Sequence, residues 1–484
     1  MGNPFFTAED AKIAFNLFCC VYGIGTLGVP SNFSRAGALI AVIALLFMAF
    51  ANVYSSVVCS KVMLAAPRSV KTFGDLGEWC MGKPGRYAVV ISQMGVCLLV
   101  PCAFLVLGGT LLNSLLPGSF SPSIWIILMA LMVLPVCLVP TLKEGAGAAF
   151  AGCMGTIIAD VIGVAVLLHG MRGHPAVPYP AISFPQVAAT FGNLSLAYGA
   201  GIVIPSLQRQ HSDPTRMPRV VFVTMTFISV LFLALASSGY SVVGCQISGN
   251  LLFSIFPDQT TGLSKLGFAP HKGATVLAYL FMQLHITIAF AVLISPAFYI
   301  AERVFLGMHQ PKLPGDLEAP NYDFAVTPAE IKSITSKGSV VLMADTEKER
   351  AQEEEADAAE YKGAFAWKYI VLRISIVAML VVSSVVLQDH FLDLSDFIGA
   401  SCITMSCIIL LIAFYLKKLW PKIPTYEKIP AILVVIVCFV LGGYVSYTSG
   451  KALFSSEKSD PEILFPFCKA EDQHEIYYNA TVNV

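Results

Sequence analysis

The sequence predicts an all-α polytopic membrane protein of eleven transmembrane helices, built as a five-plus-five inverted repeat with one extra helix, and three observations carry that expectation. Only 13% of the 484 residues are charged, about half the ~25% of a typical soluble protein. Apolar residues reach 56%, and they fall in continuous runs of roughly twenty or more, not in the ~10-residue alternating segments of an outer-membrane barrel. Two of those runs carry the same interruption, Tyr-Gly-x-Gly, beginning at Tyr22 and at Tyr198.

Apolar windows between charge and turn clusters define the elements in order. They run from about 11 to 33, 37 to 64, 87 to 115, 123 to 141, 147 to 169, 187 to 207, 219 to 243, 273 to 300, 366 to 387, 392 to 416 and 429 to 449. Trp125, Trp367 and Trp420 fall at span ends, where indoles seek the membrane interface. The chain enters its first span almost at once, and Arg35 follows that span where a processing site would need small residues, so no cleavable signal is expected. Met1-Gly2 is not read as a myristoylation site, because position 6 is Phe.

Sidedness follows from Lys and Arg, which stay on the cytoplasmic side. The N-terminus and the alternate connections hold 22 of the 30 basic residues and the opposite side 7, with Arg373 inside the ninth span. This predicts a cytosolic N-terminus and, with an odd number of spans, an external or lumenal tail over 450–484. The sequon at Asn479 then lies on the side where glycosylation occurs, whereas those at Asn32 and Asn193 fall in or beside spans and are expected to stay bare. The connection from about 304 to 365 is cytoplasmic, Pro-rich and acidic from Glu347 to Glu360. Such sequence buries too little apolar surface to fold alone, so a disordered loop is expected. Ser333, Thr335, Ser336 and Thr346 are its candidate regulatory positions.

Composition also excludes functions. A net charge of −1 leaves no electrostatic footprint for nucleic acid. The 13 cysteines form no CxxC pair, and most, including Cys97, Cys102, Cys137, Cys153, Cys402, Cys407 and Cys438, read as small packing residues. No metal or cofactor is expected beyond a coupling ion, H+ or Na+.

The paired motifs are the most informative feature. Span 1 carries Tyr22-Gly23-Ile24-Gly25-Thr26-Leu27-Gly28-Val29-Pro30 and span 6 carries Tyr198-Gly199-Ala200-Gly201-Ile202-Val203-Ile204-Pro205. Gly and Pro weaken a helix, and lipid tolerates an unpaired backbone only where it is buried in protein or lines a cavity. An isolated Gly pair reads as a packing face. Matched interruptions five spans apart instead point to two unwound segments facing one midplane cavity, with an inverted second half. Exposed amides and carbonyls there hold the two ends of a zwitterion, which points to an amino-acid-like substrate.

Phe15-Asn16-Leu17 with the glycine run from Gly23 to Pro30 resembles the opening helix of the amino acid/auxin permease family. Further similarity lies in Thr72-Phe73-Gly74-Asp75-Leu76-Gly77 with Gly82-Lys83-Pro84-Gly85-Arg86, in Pro205-Ser206-Leu207 with Asp213-Pro214, in Gly239-Tyr240 with Gly244, and in Ser295-Pro296 with Arg303. The resemblance covers most of the chain except loop 8/9 and the tail. It implies a secondary active amino acid transporter of leucine-transporter-like fold, moving its substrate by alternating access and coupled to protons or sodium. The transporter region is then 1–449, with repeat one over about 11–169, repeat two over about 187–416 and the extra helix at 429–449.

Under that reading the substrate site is Tyr22, Gly23, Ile24, Gly25 and Thr26 with Tyr198, Gly199, Ala200 and Gly201. Asp160 stands out as the acid in the middle of a span, and His285 is the similarly placed histidine. An ionisable group at that depth is a functional candidate by default. The family's fold brings spans 1, 5 and 8 together, so the two residues are expected to form a proton-binding pair. Sodium coupling is the competing mechanism and would draw on Asn16 and Ser295, although Ile294 stands where the sodium-coupled branch tends to carry Thr. Asp389, His390, Asp393 and Asp396 read as a solvated vestibule edge. Cys245 and Cys468 share the external side and form a candidate bridge.

Other classes fare worse. Intramembrane aspartyl proteolysis needs two facing aspartates, and neither HExxH nor GxSxG occurs, so no enzyme is expected. A sensor signalling through the 304–365 loop is the main alternative. A channel lacks any ring of repeated pore residues. The partners expected are a small amino acid and the lipid bilayer, in the plasma membrane or a vacuolar or lysosomal membrane; the sequence leaves the oligomeric state open.

Overall fold

Helix follows from the environment the composition demands, because a chain in hydrocarbon must satisfy its backbone within each segment. The computed structural model describes residues 5–67, 69–139, 145–308, 361, 366–455 and 463–479, with only the backbone given at 145–149. Among them there is no β-strand, only isolated bridges of Pro180 with Cys468 and Pro257 with Ser264. Arg68, Lys143, the serines and threonines singled out in the 304–365 loop, and Thr481 of the last sequon lie outside the described residues.

The chain opens with α1 (Ala8–Val21) and α2 (Gly25–Ala65). Thr7 starts α1 with a reciprocal cap: its side chain accepts from Asp10 N–H, and the Asp10 carboxylate accepts from Thr7 N–H. Within α2 the backbone turns at Gly37, where φ 73 and ψ 159 are non-helical. A positive φ of that kind is open to glycine, and the turn separates the first expected span from the second. Next come α3 (Phe73–Met81), α4 (Lys83–Leu115), α5 (Pro122–Cys137) and α6 (Gly145–Gly170). The α3 helix lies in a connection where no element was expected, and its signature is the Thr72 and Asp75 capping box.

The second half repeats the pattern. It holds α7 (Phe184–Ala197), α8 (Ile204–Gln210), α9 (Met217–Val243), the short α10 (Leu251–Ile255), α11 (Lys272–Ala301), α12 (Ala366–Val386), α13 (Phe391–Ile398), α14 (Leu410–Leu419) and α15 (Thr425–Leu453). Residues Gly399–Ile409 join α13 to α14 as π-helix, a widened turn pattern frequent at functional sites. There Thr404 Oγ1 donates to the carbonyl of Gly399, five residues back, at 2.8 Å. Among the described residues nine helices are long and apolar enough to cross a membrane, with Pro122–Cys137 a shorter apolar one.

Small residues bring the spans together. A Cβ on Gly399 would collide with the Gly192 carbonyl oxygen, so the sixth and tenth spans touch backbone to backbone. Asn32 donates to Asn193 at 3.0 Å with both side chains buried, a polar clasp between spans 1 and 6. Of the cysteines expected in packing roles, six are buried and Cys402 is half-buried. Trp125 departs from its expected interfacial place: it is buried against Phe120, whereas Trp367 and Trp420 are exposed.

Buried ions close both ends of the bundle. On the N-terminal side Asp10 accepts from Arg216 and pairs with His211 at 2.8 Å, and Glu302 pairs with Arg373 at 2.7 Å. The Arg373 guanidinium also donates to the Cys137 and Val139 carbonyls, and Tyr361 donates to Glu302. At the far end of span 1, Arg35 pairs with Asp396 at 2.7 Å. The tail 463–479 packs on this second face, tied to the connection after α9 by a Cys245–Cys468 disulfide with Cα atoms 5.1 Å apart.

Candidate functional site

Both Tyr-Gly-x-Gly motifs interrupt their helices. In span 1, α1 ends at Val21, and Tyr22 turns extended (φ −78, ψ 92) with its N–H still bonded to the Phe18 carbonyl at 2.8 Å. Gly23 lies outside both helices, Ile24 is the N-cap with helical angles (φ −57, ψ −23), and α2 restarts at Gly25 with no side chain capping its first turn. The Thr26 N–H reaches back to the Gly23 carbonyl at 3.0 Å. In span 6, α7 ends at Ala197, Tyr198 to Ala200 are irregular, Gly201–Val203 form one 3₁₀ turn and α8 follows. Each break thus begins at the motif tyrosine, and Gly25, Thr26 and Gly201 already belong to the restarting turn. The two segments touch: a Cβ on Gly25 would stand 2.6 Å from the Ala197 Cα.

The two tyrosines converge on one ring that sequence reasoning did not single out. Tyr198 is fully buried, donates to Ser229 Oγ at 2.8 Å and meets Phe232 edge-on at 5.0 Å. Tyr22 stacks on Phe18 at 5.0 Å and leans on the same Phe232 at 6.0 Å. No motif marks Phe232; it is one of several phenylalanines in an apolar run, and only the fold places it between the breaks.

Asp160 lies on α6 and is 2% exposed. Tyr22 and Thr26 stand close enough to act on its carboxyl. Yet neither Asp160 oxygen has a hydrogen-bond partner, and the Thr26 hydroxyl has none either. An unmade bond to a buried carboxylate costs several kcal/mol in general, so this position is poised to take a proton or a cationic group.

His285 does not pair with it. Its Nδ1 lies 3.0 Å from the Gly152 carbonyl oxygen, and a carbonyl only accepts, so Nδ1 carries the proton. Its Nε2 then faces the span 1 break, 3.1 Å from where a Cβ on Gly23 would stand. Gly152 and Asp160 are eight residues apart on one helix, about 12 Å of rise. The expected Asp160–His285 pair is therefore replaced by two separate groups on either side of the same unwound segment. Ser295 Oγ donates to the Ala291 carbonyl of its own helix at 2.6 Å, and Asn16 is half-buried on α1, six residues before Tyr22. Among the described residues no cluster of three His, Cys, Asp or Glu side chains could hold a metal ion.

The acidic edge expected after span 9 is a buried ion pair at its last member. Asp396 is 3% exposed and Arg35 2%. Burial of that kind needs a partner, and here the partners come from spans 1 and 10. The signal available in the sequence was Arg35 itself, a basic residue on the side where such residues are scarce.

The pattern of the family described as transmembrane amino acid transporter protein matches residues 10–453. The chain belongs to this family. It is 25% identical over 254 residues to "Amino acid transporter AVT1I" of Arabidopsis thaliana, covering 50% of this chain and 62% of that one. It is 26% identical over 271 residues to "Vacuolar amino acid transporter 7" of Saccharomyces cerevisiae, covering 52% and 53%. The chain thus spans somewhat over half the length of these curated relatives. In fold it is similar to the crystal structure of MhsT in complex with L-phenylalanine, with a TM-score of 0.53 at 12% identity, covering 93% of this chain and all of that one. That likeness supports the leucine-transporter-like architecture that the family resemblance implied.

Proposed function

We propose that this protein is a secondary active transporter that moves amino acids across a membrane by alternating access, coupled to protons. The observation that carries the reading is the meeting of two matched helix breaks beside a buried carboxyl without a hydrogen-bond partner. Uncapped N–H groups at the restart of α2 and at Gly201 offer donors to a substrate carboxylate, as helix N-termini do for anions. The segments Tyr22 to Thr26 and Tyr198 to Gly201 form the substrate site. Asp160 is the coupling group: protonation removes its buried charge and lets the Thr26 and Tyr22 side of span 1 rearrange around it. His285 holds Gly23 and the base of α6 in register.

Eleven crossings follow when the helix bent at Gly37 is counted as two spans and each broken helix as one. The two ends of the chain attach at opposite ends of span 1, through Phe5 to Arg216 and Arg219 and through Phe467 to Arg35. This agrees with a cytosolic N-terminus and an external or lumenal tail bearing a sugar at Asn479. The vacuolar transporter among its relatives favours an acidic organelle over the plasma membrane. Repeat one spans about 11–169, repeat two about 187–416, and 429–449 is the added helix, with 304–365 a cytoplasmic loop.

Purified protein in liposomes, challenged with a panel of amino acids under imposed pH and sodium gradients, tests the reading. Uptake driven by a pH gradient in sodium-free buffer is expected. Strict sodium dependence without a pH effect would eliminate Asp160 as the coupling group.

A further inference from the structure

The tail reaches the ion pair above the site. From the end of α15 the chain returns over the face that carries Arg35, and its described part, 463–479, is fastened at several points. Cys468 is fully buried and joined to Cys245. Gln246, the next residue, donates to the carbonyls of Asp472 and Glu475 and accepts from Tyr477 N–H. The Phe467 carbonyl accepts from Ala181 N–H at 2.9 Å. These anchors hold the Phe467 ring 5.1 Å from the Arg35 guanidinium carbon.

Arg35 needs such a neighbour. Its NH1 is committed to Asp396 Oδ2, while its Nε and the other Asp396 oxygen have no hydrogen-bond partner. One bond therefore leaves the guanidinium free to pivot, and an aromatic face laid on it removes that freedom through a cation–π contact. Asp393 stands near enough to act on Arg35 as well, and His390 lies 3.6 Å from Asp393. Without a fixed orientation, Arg35 could swing from Asp396 to Asp393 and uncouple span 1 from span 10.

We infer that the disulfide-anchored tail is part of the outer gate, with Phe467 a positioning residue that holds Arg35 on Asp396 and so keeps the external side of spans 1 and 10 closed. The inference rests on the alternating-access reading above. The closed outer face is thereby stabilised by a segment outside the bundle, one fastened through the buried Cys245–Cys468 bond.

The test is accessibility of a reporter. Ser31 is buried one turn inward from Arg35, so in Ser31→Cys the new thiol meets a membrane-impermeant maleimide only when the outer side opens. Labelling is read on the peptide that carries position 31, against the parent with Ser31. Phe467→Ala and the double replacement Cys245→Ser with Cys468→Ser are each expected to raise the labelling rate about two- to fivefold, the factor a cation–π contact supplies. Phe467→Trp is expected to restore the parent rate.

Unchanged labelling in Phe467→Ala overturns the role of Phe467, and so does faster labelling in the double serine variant alone. Should those variants fail to reach the membrane, Phe467→Leu, which keeps an apolar side chain there without a cation–π face, makes the same test, and an unchanged rate then overturns the strap. Labelling needs no amino acid flux, so failure of the transport reading leaves this result interpretable on its own.

Discussion

Replacing Gly25 by Ala tests whether the two breaks must touch. The new methyl would stand 2.6 Å from the Cα of Ala197, with the Ala197 Cβ and N at 3.1 and 3.2 Å. Two of those atoms are backbone and cannot rotate away. Ordinary carbon contacts lie near ~3.5–4.0 Å, so the segments must part by about 1 Å. Overpacking of that kind costs roughly 1–3 kcal/mol, set against about 0.5–1 kcal/mol gained by removing a helical glycine, for a net loss near 1 kcal/mol in stability. The functional effect is larger. A substrate carboxylate gripped by amides at ~2.9 Å loses a charged hydrogen bond when one wall retreats 1 Å, about 1.5–3 kcal/mol each, which is a rise in KM of roughly ten- to a hundredfold. The assay is initial uptake against concentration, normalised to protein in the membrane, beside a melting curve in detergent. Gly443→Ala is the control, because Gly443 is exposed and a Cβ there meets nothing within 4 Å. A wild-type KM in Gly25→Ala, or equal damage in Gly443→Ala, would refute the reasoning.

Four further outcomes are expected. Asp160→Asn flattens the pH dependence of uptake while leaving the melting temperature unchanged or raised, since it removes a buried charge without a hydrogen-bond partner; a retained pH profile argues against coupling there. Asp396→Asn leaves Arg35 buried without its counter-ion and lowers stability by about 3 kcal/mol, whereas Asp396→Asn with Arg35→Gln recovers part of the loss, a coupling read from the double-mutant cycle of denaturation midpoints. Hydrogen bonds from Arg216 hold the Asp10 carboxyl, at the N-terminal end of span 1, well under the usual carboxylate range; the stability it supplies is complete above its unfolded value of about 3.9 and fades only as pH falls through the lower folded value. Asp10→Asn is therefore expected to lower the melting temperature equally at pH of about 6 and about 8, and a loss confined to one of them contradicts the pairing. Asn479→Gln removes the single glycan seen as a gel shift with endoglycosidase, while Asn32→Gln and Asn193→Gln leave the shift in place.

Hydrophobic runs and glycine placement are local properties, and local properties were legible. The helices fall on the expected windows because apolar length sets a span, and the breaks start at Tyr22 and Tyr198 because Gly and Pro weaken a helix wherever they stand. Even the missed α3 helix was written locally, in the Thr72 and Asp75 caps. The turn at Gly37 was legible as a boundary between spans but not as a bend within one continuous helix.

What the tertiary structure decided is which side chains meet. Asp160 was visible as a buried acid, but its separation from His285 depends on how α6 and α11 slide past one another, and a shift of two helical turns carries no mark in composition. Asp396 looked like one of three acids and a histidine at a wet edge until the fold brought Arg35 to it across 361 residues of sequence, and the bridge of Cys245 with Cys468 was a candidate until the fold set the two together. Periodicity and polarity act over a few residues and determine where helix exists and where it fails. Partnerships between distant groups depend on packing angles and registers that are summed over the whole bundle, so Phe232 between the tyrosines and Phe467 over Arg35 emerge only once the spans are assembled.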